Sequence, residues 1–151
     1  MNKKIKLGLA MLELKGFGRA RVRPVIESMS QIPATATEAM DAISSFTIQT
    51  EKKLPEVTLN DIEVAMDNGS RIADYCSETG INIDFIDMND DRQWIQRFVN
   101  IPNPPLLLFS SGDTSVMDMP TIAIIGTRNP THIGKSMAES TARKAVESGF
   151  C

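Results

Sequence analysis

Residues 121–134 read Thr121-Ile122-Ala123-Ile124-Ile125-Gly126-Thr127-Arg128-Asn129-Pro130-Thr131-His132-Ile133-Gly134, an apolar run that passes through a glycine and a basic turn into a helical pattern. Residues 122–125 show no polar alternation and are rich in β-branched side chains. That pattern predicts a strand covered on both faces, as in a parallel sheet. Thr131 offers an N-cap hydroxyl to a helix whose apolar stripe is Ile133, Met137, Thr141 and Ala145, flanked by Ala138, Ala142 and Val146. Gly149 then stands where a C′ residue closes a helix.

A strand, a glycine turn and a helix start in that order gather free backbone N–H groups and the positive end of a helix dipole at one spot. Such a spot suits an anion. Arg128 adds a planar donor fork matched to phosphate, with Gly126, Thr127, Thr131 and Gly134 shaping the loop around it. The same residues also serve an ordinary strand-to-helix turn, so the local pattern leaves phosphate binding and plain backbone geometry both open. Neither nucleotide fingerprint fits: the G-x-G-x-x-G spacing is absent, and Gly134-Lys135-Ser136 lacks the upstream glycine of a P-loop.

Upstream lies Ile101-Pro102-Asn103-Pro104-Pro105-Leu106-Leu107-Leu108-Phe109, followed by Ser110-Ser111-Gly112-Asp113. Together with Ala123 to Gly126, Thr127, Arg128, Pro130, Thr131, Gly134 and Gly149, these residues resemble the DNA-processing protein A (DprA/Smf) family. In that family a proline-led strand precedes A-(I/V)-(I/V)-G-(S/T)-R, which continues as (K/N)-x-T-x-x-G into a helix ending in glycine. The likeness is dense from about residue 102 to residue 150 and compatible before that.

The resemblance implies an α/β protein: an N-terminal helical domain of helix-hairpin-helix or SAM-like type over residues 1–80, then the beginning of a Rossmann-like domain over residues 81–151. A family member continues into a second core strand where this sequence reaches Cys151, so the expectation is a truncated Rossmann-like fold. A lone β-α unit cannot cover both faces of its strand, so the expectation is either a fragment or truncated product, or a unit that uses a partner to complete the sheet. The resemblance further implies a non-enzymatic, cytoplasmic protein that binds single-stranded DNA, assists loading of the RecA recombinase in DNA uptake and transformation, and forms a homodimer. A nucleotide-sensing Rossmann-like module and a structural interaction domain are the competing classes.

The net charge of −3 conceals an asymmetry. Residues 1–23 hold seven bases (Lys3, Lys4, Lys6, Lys15, Arg19, Arg21 and Arg23) against one acid, Glu13, while the remainder holds nine bases and eighteen acids. This basic field overlaps Leu14-Lys15-Gly16-Phe17-Gly18-Arg19, whose glycine spacing predicts a tight turn between two helices. In a helix-hairpin-helix such a turn presents N–H groups to a nucleic-acid phosphate, with Lys15 and Arg19 adding attraction beside Gly16 and Gly18. The plainer alternative is a helical corner with a solvated basic face. Pro24 is expected to kink the second helix or delay its start.

The middle of the chain reads as scaffold. Thr35 to Glu38 is a capping box opening a helix to about residue 44, and Thr58 to Asp61 starts another that ends near Gly80, interrupted at Gly69. Ile81, Ile83, Phe85 and Ile86 predict a short strand, and Trp94, Ile95 and Phe98 a helix whose aromatics are core residues rather than a base-stacking platform. A packed core is supported by 42% hydrophobic residues. No cofactor or metal is expected: His132, the single histidine, has no recognisable nucleophile beside it, Cys76 and Cys151 lack zinc spacing, and Asp87, Asp90 and Asp91 lack the pattern of a calcium loop. The run Leu7 to Leu12 is too short for a signal sequence or a membrane span, so no membrane partner is expected.

Overall fold

The computed structural model describes residues 2–151. It divides into two compact units, Met1–Gly112 and Asp113–Cys151. The division falls some thirty residues beyond the boundary read from the sequence, because the strand that opens at Ile81 packs back onto the helices before it.

In the first unit α1 (Lys3–Glu13) is the central element. Asn2 caps it, its Oδ1 accepting the Lys4 N–H at 2.9 Å. Six of its residues, Ile5, Leu7, Gly8, Leu9, Ala10 and Met11, are buried, so it is covered over most of its circumference rather than along one stripe. A turn through Gly16 (φ 83°) leads to α2 (Arg19–Ser28), whose Val22, Val25 and Ile26 are buried. Pro24 sits inside α2 without delaying its start. Its missing N–H leaves the carbonyl of Ala20, an exposed residue, to solvent.

Both capping boxes form. Thr35 and Glu38 open α3 (Ala36–Thr50), and Thr58 and Asp61 open α4 (Leu59–Glu78). α3 runs six residues past the expected end. Buried Phe46 continues the apolar spacing of Ala39 and Ile43, and the Thr47 and Thr50 hydroxyls donate to the Ile43 and Phe46 carbonyls at 2.9 and 2.7 Å. The chain leaves α3 through Glu51 in the left-handed region (φ 54°).

Gly69 does not interrupt α4. A Cβ there would stand 2.8 Å from the Ala10 amide nitrogen and 2.9 Å from the Lys6 carbonyl oxygen, so the glycine is the point at which the backbones of α1 and α4 approach one another. Glycine costs helix propensity of about 1 kcal/mol in an interior position, and here the close contact between two buried helices compensates.

β1 (Ile81–Phe85) pairs antiparallel with β2 (Leu107–Ser111), with Ile83 opposite Phe109 and Phe85 opposite Leu107. Between them lies α5 (Gln93–Val99). Trp94 and Ile95 on α5 are buried, and Trp94 meets Phe98 edge-on with centroids 6.2 Å apart. Trp94 is a core residue, as its helical spacing indicates, while Phe98 is half-buried.

The second unit holds a 3₁₀ turn (Thr114–Asp118) and α6 (His132–Glu147). Here the expected buried strand is corrected. Residues 121–125 form no strand ladder, and Ile122, Ile124 and Ile125 are 48, 42 and 94% exposed. An apolar run becomes a buried strand only when neighbours supply hydrogen-bond partners and cover, and within this unit a single residue does so. The Ile122 N–H donates to the Cys151 carbonyl at 3.1 Å and the Cys151 N–H to the Pro120 carbonyl at 2.9 Å, the two-bond pattern of a parallel pair. The stripe of α6 is likewise uncovered, with Ile133, Met137 and Val146 exposed. Local signals hold nevertheless. Thr131 caps α6, and Gly149 (φ 82°) closes it: its own N–H reaches Val146 and the Phe150 N–H reaches Ala145, both at 3.0 Å, completing a Schellman motif.

Gly69→Ala is expected to push α1 and α4 apart and to lower stability by about 1–3 kcal/mol, measured from urea denaturation. An unchanged midpoint would show that the close helix contact is dispensable.

Candidate nucleic-acid interface

The loop 126–131 lies in the second unit. Thr131 is extended (φ −66°, ψ 161°), and its Oγ1 accepts the Gly134 N–H at 3.1 Å while its carbonyl accepts the Lys135 N–H at 3.0 Å. A Cβ on Gly134 would lie 3.4 Å from that hydroxyl, so glycine gives the cap room. The N–H groups of His132 and Ile133, in the first turn, have no helical acceptor. Thr127 Oγ1 accepts the Asn129 N–H at 3.4 Å, a loose turn that folds the loop back on itself. Arg128 is exposed and makes no hydrogen bond or ion pair. Gly126 meets nothing within 4 Å and has no left-handed φ, so the chain itself does not demand glycine there. The structure thus brings Arg128, Thr127 and the start of α6 together as one exposed, locally ordered loop.

The second set of site residues, Lys15, Gly16, Gly18 and Arg19, lies in the first unit. The two glycines occupy the turn between α1 and α2, as their spacing indicates, but each has local work. Gly16 needs its positive φ and backs onto Pro55, whose Cγ would lie 2.9 Å from an added Cβ. Gly18 is the N-cap of α2. Arg19 Nε donates to Asn103 Oδ1 at 3.0 Å, and Arg21 Nη1 donates to the Gly16 carbonyl at 2.7 Å.

Most of the N-terminal basic field is similarly engaged. Arg23, largely buried, donates to the Ile86 carbonyl at 2.6 Å, the Pro105 carbonyl at 2.7 Å and Glu27 at 3.3 Å, and so clamps α2 to the end of β1 and the proline-led segment. Lys4 pairs with Asp87 and lies 4.4 Å from the Phe85 ring centroid; Lys6 pairs with Asp74 at 3.1 Å. Of the seven bases in residues 1–23, these five contacts leave Lys3 and Lys15 as the ones without a side-chain partner among the described residues. No spacing in the sequence marks Arg23 as a clamp, because its acceptors are main-chain carbonyls more than sixty residues away.

The acidic turn after β1 is also occupied by protein. Arg92 bonds Asp84 at 2.6 Å and Asp90 at 2.9 Å, and its guanidinium sits 5.0 Å from the Trp94 ring. The bond from Lys4, then the Asn89 N–H, lowers the Asp87 carboxyl below its ordinary value; the bond from Arg92 does the same for Asp90. Among the described residues no group of three or more His, Cys, Asp or Glu side chains is placed to hold a metal ion, and no helix is long and apolar enough to cross a membrane.

Residues 85–151 match the family described as DNA recombination-mediator protein A. The chain is 30% identical over 92 residues to the DNA processing protein DprA of Bacillus subtilis (strain 168), an alignment covering 60% of this chain and 30% of that relative. No solved structure matches. Over residues 85–151 the chain is similar to the DNA recombination-mediator protein A family, and it spans about 30% of the length of the curated relative it matches. The match begins at the end of β1, includes β2, the loop carrying Arg128 and α6, and crosses the division between the two compact units.

A carboxyl whose folded-state pKa is depressed adds stability above its unfolded pKa, and that stability is lost as pH falls through the folded value. Asp87 and Asp90 both lie below the ordinary 3.8. Thermal melts between pH 6 and pH 2 are therefore expected to fall in the acidic limb. Asp87→Asn should flatten that limb at the expense of stability near neutrality. An unaltered profile would show that the Lys4–Asp87 contact is not formed in solution.

Proposed function

We propose that this chain contributes to DNA processing in recombination and transformation by holding single-stranded DNA, without a catalytic step of its own. The observation that carries the reading is Arg128: an exposed, unpaired guanidinium on a loop that runs into the open N-terminus of α6, within the segment matched to the family. Single-strand binders combine positive charge that follows the phosphates with little base readout. A guanidinium beside free helix N–H groups supplies a fork and a dipole to one phosphate. Gly126 fits the same reading, because a glycine that its own chain does not require leaves the backbone open to a ligand.

Residues 121–125 and α6 are the opening of a Rossmann-like sheet in this proposal, and the parallel pairing of Cys151 beside Thr121 is what supports it. RecA and a second copy of the chain are the protein partners that the family likeness suggests, acting in the cytoplasm. A helix-hairpin-helix role for the turn at Gly16 and Gly18 belongs to the same proposal, supported by the glycine turn between α1 and α2. Any DNA contact there falls to Lys15 and the main chain, since Arg19 is engaged by Asn103.

A second reading has support from the same loop: a capped helix N-terminus with one free arginine also suits the phosphate of a mononucleotide. The two separate by titration. Arg128→Ala is expected to weaken oligo-dT binding by about 1.5–3 kcal/mol, as for loss of a charge-assisted contact. The salt dependence should also lose roughly 0.7 of its slope, one phosphate's share on a single strand. Arg128→Lys should restore part of the loss, returning the charge without the fork. If Arg128→Ala instead abolishes mononucleotide binding and leaves oligo-dT affinity intact, the loop senses nucleotides.

A further inference from the structure

Along the outward face of α4 runs a groove made of two adjoining depressions, of 710 and 430 Å³, which share Glu13 and Asn68 as walls. Arg71, Ile72, Tyr75 and Glu78 line the first; Glu56, Asp61 and Val64 line the second. On α4 the positions 64, 68, 71, 72 and 75 follow helical spacing, so they form one strip about 16 Å long. Two apolar surfaces on it face solvent: Val64 is 53% and Tyr75 64% exposed. The Tyr75 hydroxyl has no hydrogen-bond partner.

The charge around this strip is one-sided. Glu13, Glu56, Asp61, Asp74 and Glu78 stand against Lys15 and Arg71. Asp74 is neutralised by Lys6, and Asp61 is held by the α4 capping box. Among the described residues, Glu13, Glu56 and Glu78 have no counter-ion within ion-pair distance. Even with the unpaired Lys15 and Arg71 counted the lining is net acidic, so the α4 strip, unlike Lys15 itself, repels phosphates and is no extension of a DNA track. It is a trough rather than an enclosed cavity, which argues against a small ligand requiring burial on most sides.

We propose that this groove docks a basic amphipathic helix of a partner protein. Lysine or arginine side chains pair with Glu13, Glu56 and Glu78, while one or two apolar side chains lie on Val64, Ile72 and Tyr75. The strip is long enough for about three turns of helix, and a helix laid into a groove is recognised through anchors at such spacing. Charge complementarity selects the partner's sign and speeds its approach. A second copy of this chain does not fit the requirement: the basic residues of α1 and α2 are mostly bonded internally, and α6 carries three bases against two acids.

The test is an amide chemical-shift titration of the full chain with a 14-residue helical Leu/Lys peptide and with its Leu/Glu counterpart. Saturable shifts centred on Glu13, Val64, Asn68, Ile72, Tyr75 and Glu78 are expected with the basic peptide alone. Glu13→Lys/Glu78→Lys should weaken that binding at least tenfold. Tyr75→Ala, which leaves the charge intact, should weaken it severalfold. Asp41→Lys/Glu63→Lys, with the same change in net charge at exposed positions outside the groove, should leave it within twofold. The proposal is overturned by shifts scattered over the surface, by equal loss in the two charge-reversed pairs, by concentration-dependent self-association mapping to the same residues, or by oligo-dT shifting them instead. Because Arg128 is not part of the groove, loss of DNA binding in Arg128→Ala and loss of peptide binding in the Glu13/Glu78 pair are separately read.

Discussion

The close approach of α1 and α4 at Gly69 is the constraint on which the first unit depends. Once two helix backbones lie close enough that a Cβ would meet main-chain atoms at 2.8 and 2.9 Å, α1 becomes a core helix. Its buried residues then extend round to faces used by other elements. Gly8 repeats the device against the sheet: a Cβ there would lie 3.4 Å from a Leu107 methyl, so β2 also packs closely on α1. Leu106, Leu107, Ile83 and Phe85 close over this side, and Val22, Val25 and Ile26 bring α2 into the same core. Small residues on the central helix and its partner thus set the spacing, and the larger hydrophobic side chains fill what remains.

Charge in this unit is largely structural. A count of seven bases in the first 23 residues suggests a polyanion surface, yet five of them have protein partners. Arg23 illustrates why. Three elements end near it, leaving the Ile86 and Pro105 carbonyls in need of donors in a partly buried place. A guanidinium can serve both from one side chain. Lys4 and Arg92 do comparable work around the acidic turn, each with an aromatic ring beneath the charge. Net charge along a sequence therefore overstates the free positive surface, while a single exposed arginine such as Arg128 counts in full.

What was legible in the sequence was what neighbours along the chain determine. The capping boxes at Thr35 and Thr58, the N-cap at Thr131, the C′ glycine at 149 and the glycine turn at 16–18 are contacts within a few residues, and each is present. Apolar spacing likewise placed β1, α5 and the burial of Trp94 and Ile95. What it could not resolve were contacts between distant segments. Gly69 reads as a helix interruption until α1 is seen against it, α3 continues past Ser44 because Phe46 finds a core, and Arg23 becomes a clamp only when β1 and the proline-led segment arrive. The run 122–125 fails in the opposite direction: its residues specify a buried strand, but burial belongs to the sheet and not to the run. For the candidate site, the sequence indicated the turn before α6 that the structure shows as an exposed loop, but not that Arg19 and Arg21 are tied to Asn103 and Gly16.

Two groups of the free charges that remain differ in sign. In the second unit the exposed Arg128 stands beside uncapped N–H groups; on α4 of the first, Glu13, Glu56 and Glu78 stand beside exposed Val64 and Tyr75. Long-range attraction acts on a ligand before any contact forms, so a polyanion and a polycation are drawn to different surfaces of the same chain. Because screening weakens both within about 8–10 Å at physiological salt, neither requires the other's absence. On the two proposals above, DNA and a basic partner use separate surfaces, since the partner's cationic helix would otherwise bind the DNA itself. An acidic groove offers that helix a competing site on the protein.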